Sequence, residues 1–123
     1  MSKKEIKQRM IFMCDFPIGY HSEFSGMHPC LIASVDLRND NSPNLFIFPI
    51  THAKRKWQPT HYKIYKSEYP FLKYSENTIL CESGREISKG RIQGYLGKIS
   101  EYDFEQILNN NNYIFIEYNV STK

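Results

Sequence analysis

Nowhere in its 123 residues does the chain hold the roughly 18 consecutive apolar side chains that a membrane-spanning helix requires. Its N-terminal charges, Lys3, Lys4, Glu5 and Lys7, run into Met10-Ile11-Phe12 without a long apolar core or a small-residue cleavage site, so a cytoplasmic protein is expected. Cysteine is scarce. Cys14, Cys30 and Cys81 are odd in number, form no C-x-x-C pair and each sit in an apolar run, which argues for buried reduced thiols rather than a disulfide framework. His21, His28, His52 and His61 show neither H-x-x-x-H nor H-E-x-x-H spacing, so no metal site and no cofactor are indicated. Repeats, low-complexity linkers and a second domain are also lacking. A chain of this length has room for one hydrophobic core, and residues 1–123 are read as a single domain.

What is there is a globular composition, 41% apolar and rich in Phe and Tyr. A formal net charge of +3 is too small to argue for nucleic-acid binding, but its distribution is uneven. Between residues 40 and 68 there is no acidic side chain, while Lys54, Arg55, Lys56, Lys63 and Lys66 fall there among His52, Trp57, His61 and Tyr62. That segment carries a local positive field with aromatics in it.

Strand signals dominate the pattern. Residues 9–16 are apolar and end at Pro17 and Gly19; 29–35 form a second strand, closed by a turn-rich stretch over 36–43; 45–50 form a third. Residues 62–65 alternate at period two, 78–81 begin a strand that continues towards Ile87, and 95–99 give a further short one. Helix is expected only after Ser100, which can cap, with Tyr102, Phe104, Ile107 and Leu108 as the apolar stripe and the asparagines 109–112 as its end. Residues 113–116 fit either a terminal strand or a continued helix. Short, turn-separated strands with one late helix predict a small, strongly bent barrel rather than a parallel α/β sheet.

Several short motifs lie in one order along the chain. The segment His21-Ser22-Glu23-Phe24-Ser25-Gly26-Met27-His28-Pro29-Cys30-Leu31-Ile32 resembles the G-S-E-x-x-G-x-R-P-x-L-V segment of MazF/PemK-like toxins. Phe48-Pro49-Ile50-Thr51 resembles the P-I-T strand end of that family, and Pro59-Thr60-His61-Tyr62-Lys63-Ile64 its P-T-H-V strand. The run from Leu80 through Glu82 and Arg85 to Ile92 is similar to L-C-E-Q-I-R-T-I-S-K-x-R-L, and Leu96-Gly97-Lys98-Ile99-Ser100 to I-G-K-L-S. The likeness runs from about residue 9 to 108. It implies a mainly β fold, an SH3-like barrel of the MazF/PemK/CcdB type with a C-terminal α-helix. It further implies a symmetric homodimer that receives single-stranded RNA, and a cognate antitoxin protein that blocks the groove. The implied activity is metal-independent, sequence-selective endonucleolytic cleavage in which the 2′-hydroxyl attacks phosphorus, leaving a 2′,3′-cyclic phosphate and a 5′-hydroxyl.

Such a reaction needs a group to take the 2′ proton, one to protonate the leaving 5′ oxygen, and donors or cations for the charge on the phosphorane. By position His28 stands where the family pattern has its catalytic arginine. Arginine stays charged and grips phosphate with a fork, whereas histidine titrates near pH ~6.5 and can act as base or acid, so the exchange is not conservative. A histidine there can shuttle a proton, giving a bell-shaped pH dependence, or can mark a member that binds RNA or antitoxin without cutting. Thr51 aligns with the catalytic threonine, whose hydroxyl can donate to a non-bridging oxygen; outside the motif it would read as a strand-end Thr satisfying backbone. Ser22 and Glu23 precede the second strand, where they can line the pocket.

Arg85 can supply a fixed cation or form a structural ion pair with Glu82, for which a supporting role is expected. Lys54, Arg55 and Lys56 can neutralise phosphates while Trp57 stacks on a base, or the same run can be a solvated face with Trp57 folded onto the core. His61 is read as part of the strand motif; Lys89, Arg91 and Lys98 extend an RNA track or serve solubility. A third reading, in which the barrel poisons a protein target, gains nothing from the basic central segment.

Overall fold

The computed structural model describes residues 5–17 and 25–111, so the expectations for Ser22, Glu23 and residues 113–116 lie outside the described residues. The first strand, β1 (Met10–Phe16), has Phe12, Cys14 and Phe16 in one apolar cluster and Ile11 in the other. β1 has β2 (Gly26–Ile32) antiparallel along one edge, from Ile11 opposite Leu31 to Phe16 opposite Gly26, and β7 (Ile92–Lys98) along the other. The register between β1 and β7 slips twice, and such bulges increase local twist and bend the sheet.

The central element is β3 (Asn44–Thr51), which pairs with β2 on one side and with two successive strands on the other. Its first half, from Asn44 to Ile47, pairs with β6 (Arg85–Ser88), and its end, Ile50 and Thr51, with β5 (Glu76–Leu80). β4 (His61–Tyr65) then adds antiparallel to β5, giving the order β4-β5-β3-β2-β1-β7 with β6 beside β3. Among the described residues β4 and β7 are not paired, so the bent sheet is an open barrel. The architecture is antiparallel β with a C-terminal helix, as expected.

Four boundaries differ from the sequence reading, among them the last strand, which covers Ile92–Lys98 rather than 95–99. The second strand covers Gly26–Ile32 rather than 29–35; it opens on Gly26 at φ +84, a backbone state that glycine takes without penalty. The turn expected over 36–43 is instead a short helix, α1 (Asp36–Asn41). Its Asn39 is 2% exposed, accepts the Ser34 hydroxyl at 2.6 Å and donates to the Ser34 carbonyl at 2.8 Å, so a buried amide holds the helical turn in place. The strand expected to run from 78 towards Ile87 is cut by a 3-10 turn at Cys81–Ser83, which lets its two halves pair with different stretches of β3.

The helix α2 (Glu101–Asn111) begins as read: Asp103 N donates to Ser100 Oγ at 3.1 Å, satisfying one of the free amides of the first turn. Of the expected stripe only Phe104 and Ile107 are buried; Tyr102 and Leu108 are exposed. The polar anchor compensates. Tyr62 Oη donates to Asp103 Oδ1 at 2.5 Å and Tyr69 Oη to Asp103 Oδ2, while Ser100 N donates to Tyr69 Oη at 3.1 Å, tying the helix start to β4 and to the segment after it.

All three cysteines are free and buried. Burial pushes the Cys81 thiol up to about 12, and Cys30 is raised by its hydrogen bond with Cys14 and then by burial, so these thiols stay protonated and behave as apolar filler. Packing is tightest at Gly97 of β7, where a Cβ would lie 2.3 Å from the Phe71 ring. Gly97→Ala is therefore expected to destabilise the protein by about 1–3 kcal/mol through overpacking, read as a lowered urea midpoint at unchanged m-value. An unchanged midpoint would mean that Phe71 yields freely.

Candidate functional site

Cross-strand register brings the predicted polar residues into one row. Cys30 pairs with Pro49 and Leu31 with Phe48, so the same register carried two residues beyond the last bonded pair sets His28 opposite Thr51. Thr51 pairs in turn with Thr78 of β5, and Thr78 with Lys63 of β4. Directly opposed residues of antiparallel strands share a face, so His28, Thr51, Thr78 and Lys63 line up across one side of the bent sheet. His28 is half-buried with its ring edge-on to Phe16, the centroids 6.1 Å apart. Thr51 is 7% exposed and its hydroxyl oxygen accepts the Ala53 amide at 3.1 Å, which leaves the hydroxyl hydrogen to donate.

The Thr78 and Lys63 end of this row opens into a cleft of about 550 Å³ under the connection 52–60. Lys54, Arg55 and Trp57 line it together with His61 and Tyr74. Lys56 is exposed but does not line it. Trp57 is 69% exposed, so it is not folded onto the core. Lys63 Nζ meets Glu76 Oε2 at 2.7 Å, and this contact holds the lysine pKa up and the glutamate pKa down. The cleft thus combines cations with exposed aromatic surface, the pairing that single-stranded nucleic acid requires.

Glu82 lies in the 3-10 turn and anchors the start of β4. His61 Nε2 is 3.0 Å from one carboxylate oxygen, and Thr60 Oγ1 donates to the other at 2.9 Å. Asn110 of α2 donates to the His61 carbonyl at 3.0 Å, so turn, strand and helix meet at one buried imidazole that also lines the cleft. Arg85 is exposed on β6 opposite Ile47. That places it four positions along β3 from Thr51, roughly 13 Å at about 3.3 Å per residue, so the structure does not bring Arg85 beside the His28–Thr51 row.

Five lining residues, Ala53, Tyr74, Ser75, Glu76 and Thr78, were not singled out from the sequence. Thr78 is found only through the register of β3 with β5. Tyr74 stacks on His52, the ring centroids 3.7 Å apart and the planes at 14°, and no periodicity predicts that contact. Among the described residues no three His, Cys, Asp or Glu side chains gather as a metal site would require.

Comparison with protein families matches residues 7–115 to the PemK-like, MazF-like toxin of type II toxin-antitoxin systems. Among solved structures, MazF from Deinococcus radiodurans superposes with a TM-score of 0.75 at 15% identity, over 92% of this chain and 98% of that one. An endoribonuclease in complex with its cognate antitoxin from a mycobacterial species gives 0.70 at 19% identity, over 89% and 93%. The Mycobacterium tuberculosis toxin MazF-mt6 gives 0.70 at 14% identity, over 87% and 96%. A search of curated proteins returned no match. At these identities the solved structures establish a shared fold, and the family match extends over nearly the whole sequence. This chain belongs to the family of PemK-like, MazF-like toxins of type II toxin-antitoxin systems.

Proposed function

We propose that the chain is a cytoplasmic endoribonuclease toxin that cuts single-stranded RNA without a metal, works as a homodimer, and is silenced by a cognate antitoxin protein. The observation that carries this reading is the row His28, Thr51, Thr78 and Lys63, set on one face and ending in the cleft lined by Lys54, Arg55 and Trp57. In the proposed reaction the ribose 2′ oxygen bonds to phosphorus as its proton passes to the His28 imidazole. The bond from phosphorus to the 5′ oxygen breaks, and His28 returns the proton to that oxygen, leaving a 2′,3′-cyclic phosphate and a 5′-hydroxyl. Thr51 Oγ donates to a non-bridging oxygen as its charge grows. Lys54, Arg55 and Lys56 hold neighbouring phosphates, and Trp57 stacks on a base. Glu82 supports the site by holding Thr60 and His61. Arg85 supplies a fixed cation to the strand farther along β3.

A second reading, an RNA-binding or antitoxin-binding regulator that does not cut, is favoured by one observation. Besides the exchange of arginine for His28, the Thr51 hydroxyl is largely buried and already engaged with the Ala53 amide. Incubating purified protein with long single-stranded RNA in EDTA and mapping the ends separates the two. Discrete cuts with cyclic-phosphate ends are expected; retained RNA without any cut would leave the regulator. The engaged phosphates are counted by the salt dependence of binding, whose log-log slope should fall by about 1–2 in magnitude when Lys54 and Lys56 are both replaced by alanine, at about 0.7 per phosphate for a single strand. An unchanged slope would show the connection 52–60 to lie off the RNA.

A further inference from the structure

His52 and Tyr74 form a stacked step with a cleft on either side, the basic one described above and a smaller one of about 340 Å³. The smaller cleft is walled by Met13, Met27, Pro29, Phe71 and Leu96, and the buried amide of Asn77 lines it. Register explains why these side chains meet. Met13 pairs with Pro29, and extending the ladders at the end of β3 sets His52 opposite Met27 on one side and opposite Asn77 on the other. They therefore occupy the sheet face opposite to Thr51, which precedes His52 directly in the chain. Because consecutive Cα atoms are only about 3.8 Å apart, a nucleotide whose phosphate lies at Thr51 can wrap the end of β3 and put its base in the smaller cleft.

The lining fits a base better than other parts of a nucleotide. No acidic side chain lines the cleft; beside its apolar walls stand Lys73, His52 and His28, the last from the end of the row farthest from Lys63, and the Met, Pro, Phe and Leu side chains that make those walls suit the flat face of a base. Asn77 is 3% exposed and its Nδ2 donates to the Tyr74 carbonyl at 2.9 Å, which fixes the amide and assigns Oδ1 as an acceptor. Planar apolar faces with an N–H at the edge are what such a site accepts. We propose that this cleft takes one unpaired nucleobase, stacked on the His52–Tyr74 step with an edge N–H donated to Asn77 Oδ1, and that it sets one position of base preference in the RNA. The inference rests on the reading of RNA as the ligand, not on the occurrence of cleavage.

The test uses protein labelled with 13C at the methionine methyls, since Met13 and Met27 line the cleft whereas Met10 packs on the other cluster. Titration with AMP, GMP, CMP and UMP, with ribose 5-phosphate as control, should move the Met13 and Met27 signals for at least one base and leave Met10 still. Met27→Trp, at a half-exposed position, fills the cleft and should abolish the Met13 shift. In cut-end sequencing, Asn77→Leu should flatten base discrimination at one position by about tenfold, the scale of one lost hydrogen bond. If Asn77→Leu does not fold, the nucleotide titration of the wild type and of Met27→Trp decides alone. Methyl shifts without any cutting would overturn the ribonuclease reading and keep the pocket. Cutting without methyl shifts, or with shifts that ribose 5-phosphate reproduces, would overturn the pocket and keep the ribonuclease.

Discussion

Thr51→Ala is expected to lower the RNA cleavage rate by about 10²–10³-fold, the loss that follows removal of one preorganised donor to a developing oxyanion. The side chain sits at the last position of β3 and its oxygen accepts the Ala53 amide, so the hydroxyl is oriented before RNA arrives. Preorganisation of that kind lowers the barrier rather than the ground state, and the loss should fall on kcat while RNA affinity changes by less than about threefold. Thr51→Ser keeps a hydroxyl at the same point and should recover most of the rate. His28→Ala is expected to cost a similar factor, because the proposed reaction passes the 2′ proton through its imidazole. Equal cleavage by wild type and Thr51→Ala, with both proteins folded, would place the chemistry elsewhere in the molecule.

The largest effect on stability is expected at Asp103, because one carboxylate serves two tyrosine hydroxyls. Removing it in Asp103→Ala deprives Tyr62 of its acceptor, leaves Tyr69 only Ser100 Oγ at 3.2 Å, and cuts the tie between α2 and β4, at a cost of about 2–3 kcal/mol. For a chain of this size that lowers Tm by about 10 °C. In a Tyr62→Phe/Tyr69→Phe background the same change should cost under about 1 kcal/mol, since the coupling has already gone.

The pH dependence has a defined sign. Burial first, and then the hydrogen bond to Asp103, raise both tyrosines above their ordinary value. A raised native pKa contributes stability that is complete below about 10 and is lost as pH climbs through the native value. Denaturation midpoints should therefore fall more steeply above pH ~10 in the wild type than in the double phenylalanine variant. Parallel curves would show that the two hydroxyls are not what responds.

Much of the scaffold was legible because its signals are local. Apolar runs bounded by turn residues marked β1 and β3, period-two alternation marked β4, Ser100 marked the start of α2, and the apolar settings of the cysteines marked buried thiols. The misreadings occurred where contacts that the local pattern does not show decided. The asparagine and aspartate of residues 36–41 have turn chemistry, but Ser34 and the buried Asn39 bind each other and draw that segment into α1. Residues 78–87 read as one strand because nothing in them shows that β3 will pair with β5 and with β6 at different points along its length. For Arg85 the spacing from Glu82 was visible, while its place opposite Ile47, well along β3 from Thr51, follows only from strand pairing.

By itself the sequence determined the family, the strand-forming segments, and the basic and aromatic composition of residues 52–63. These depend on residue type and on spacing along one chain. Tertiary structure alone decided that His28, Thr51, Thr78 and Lys63 share a face and that Asn77 and His52 meet on the other. It also decided that Glu82 serves His61 and Thr60. The reason is physical: in a sheet, sequence sets which side chains alternate, but register between strands far apart in the chain sets which of them are neighbours, and shifting a pairing by one residue would send every one of them to the opposite face.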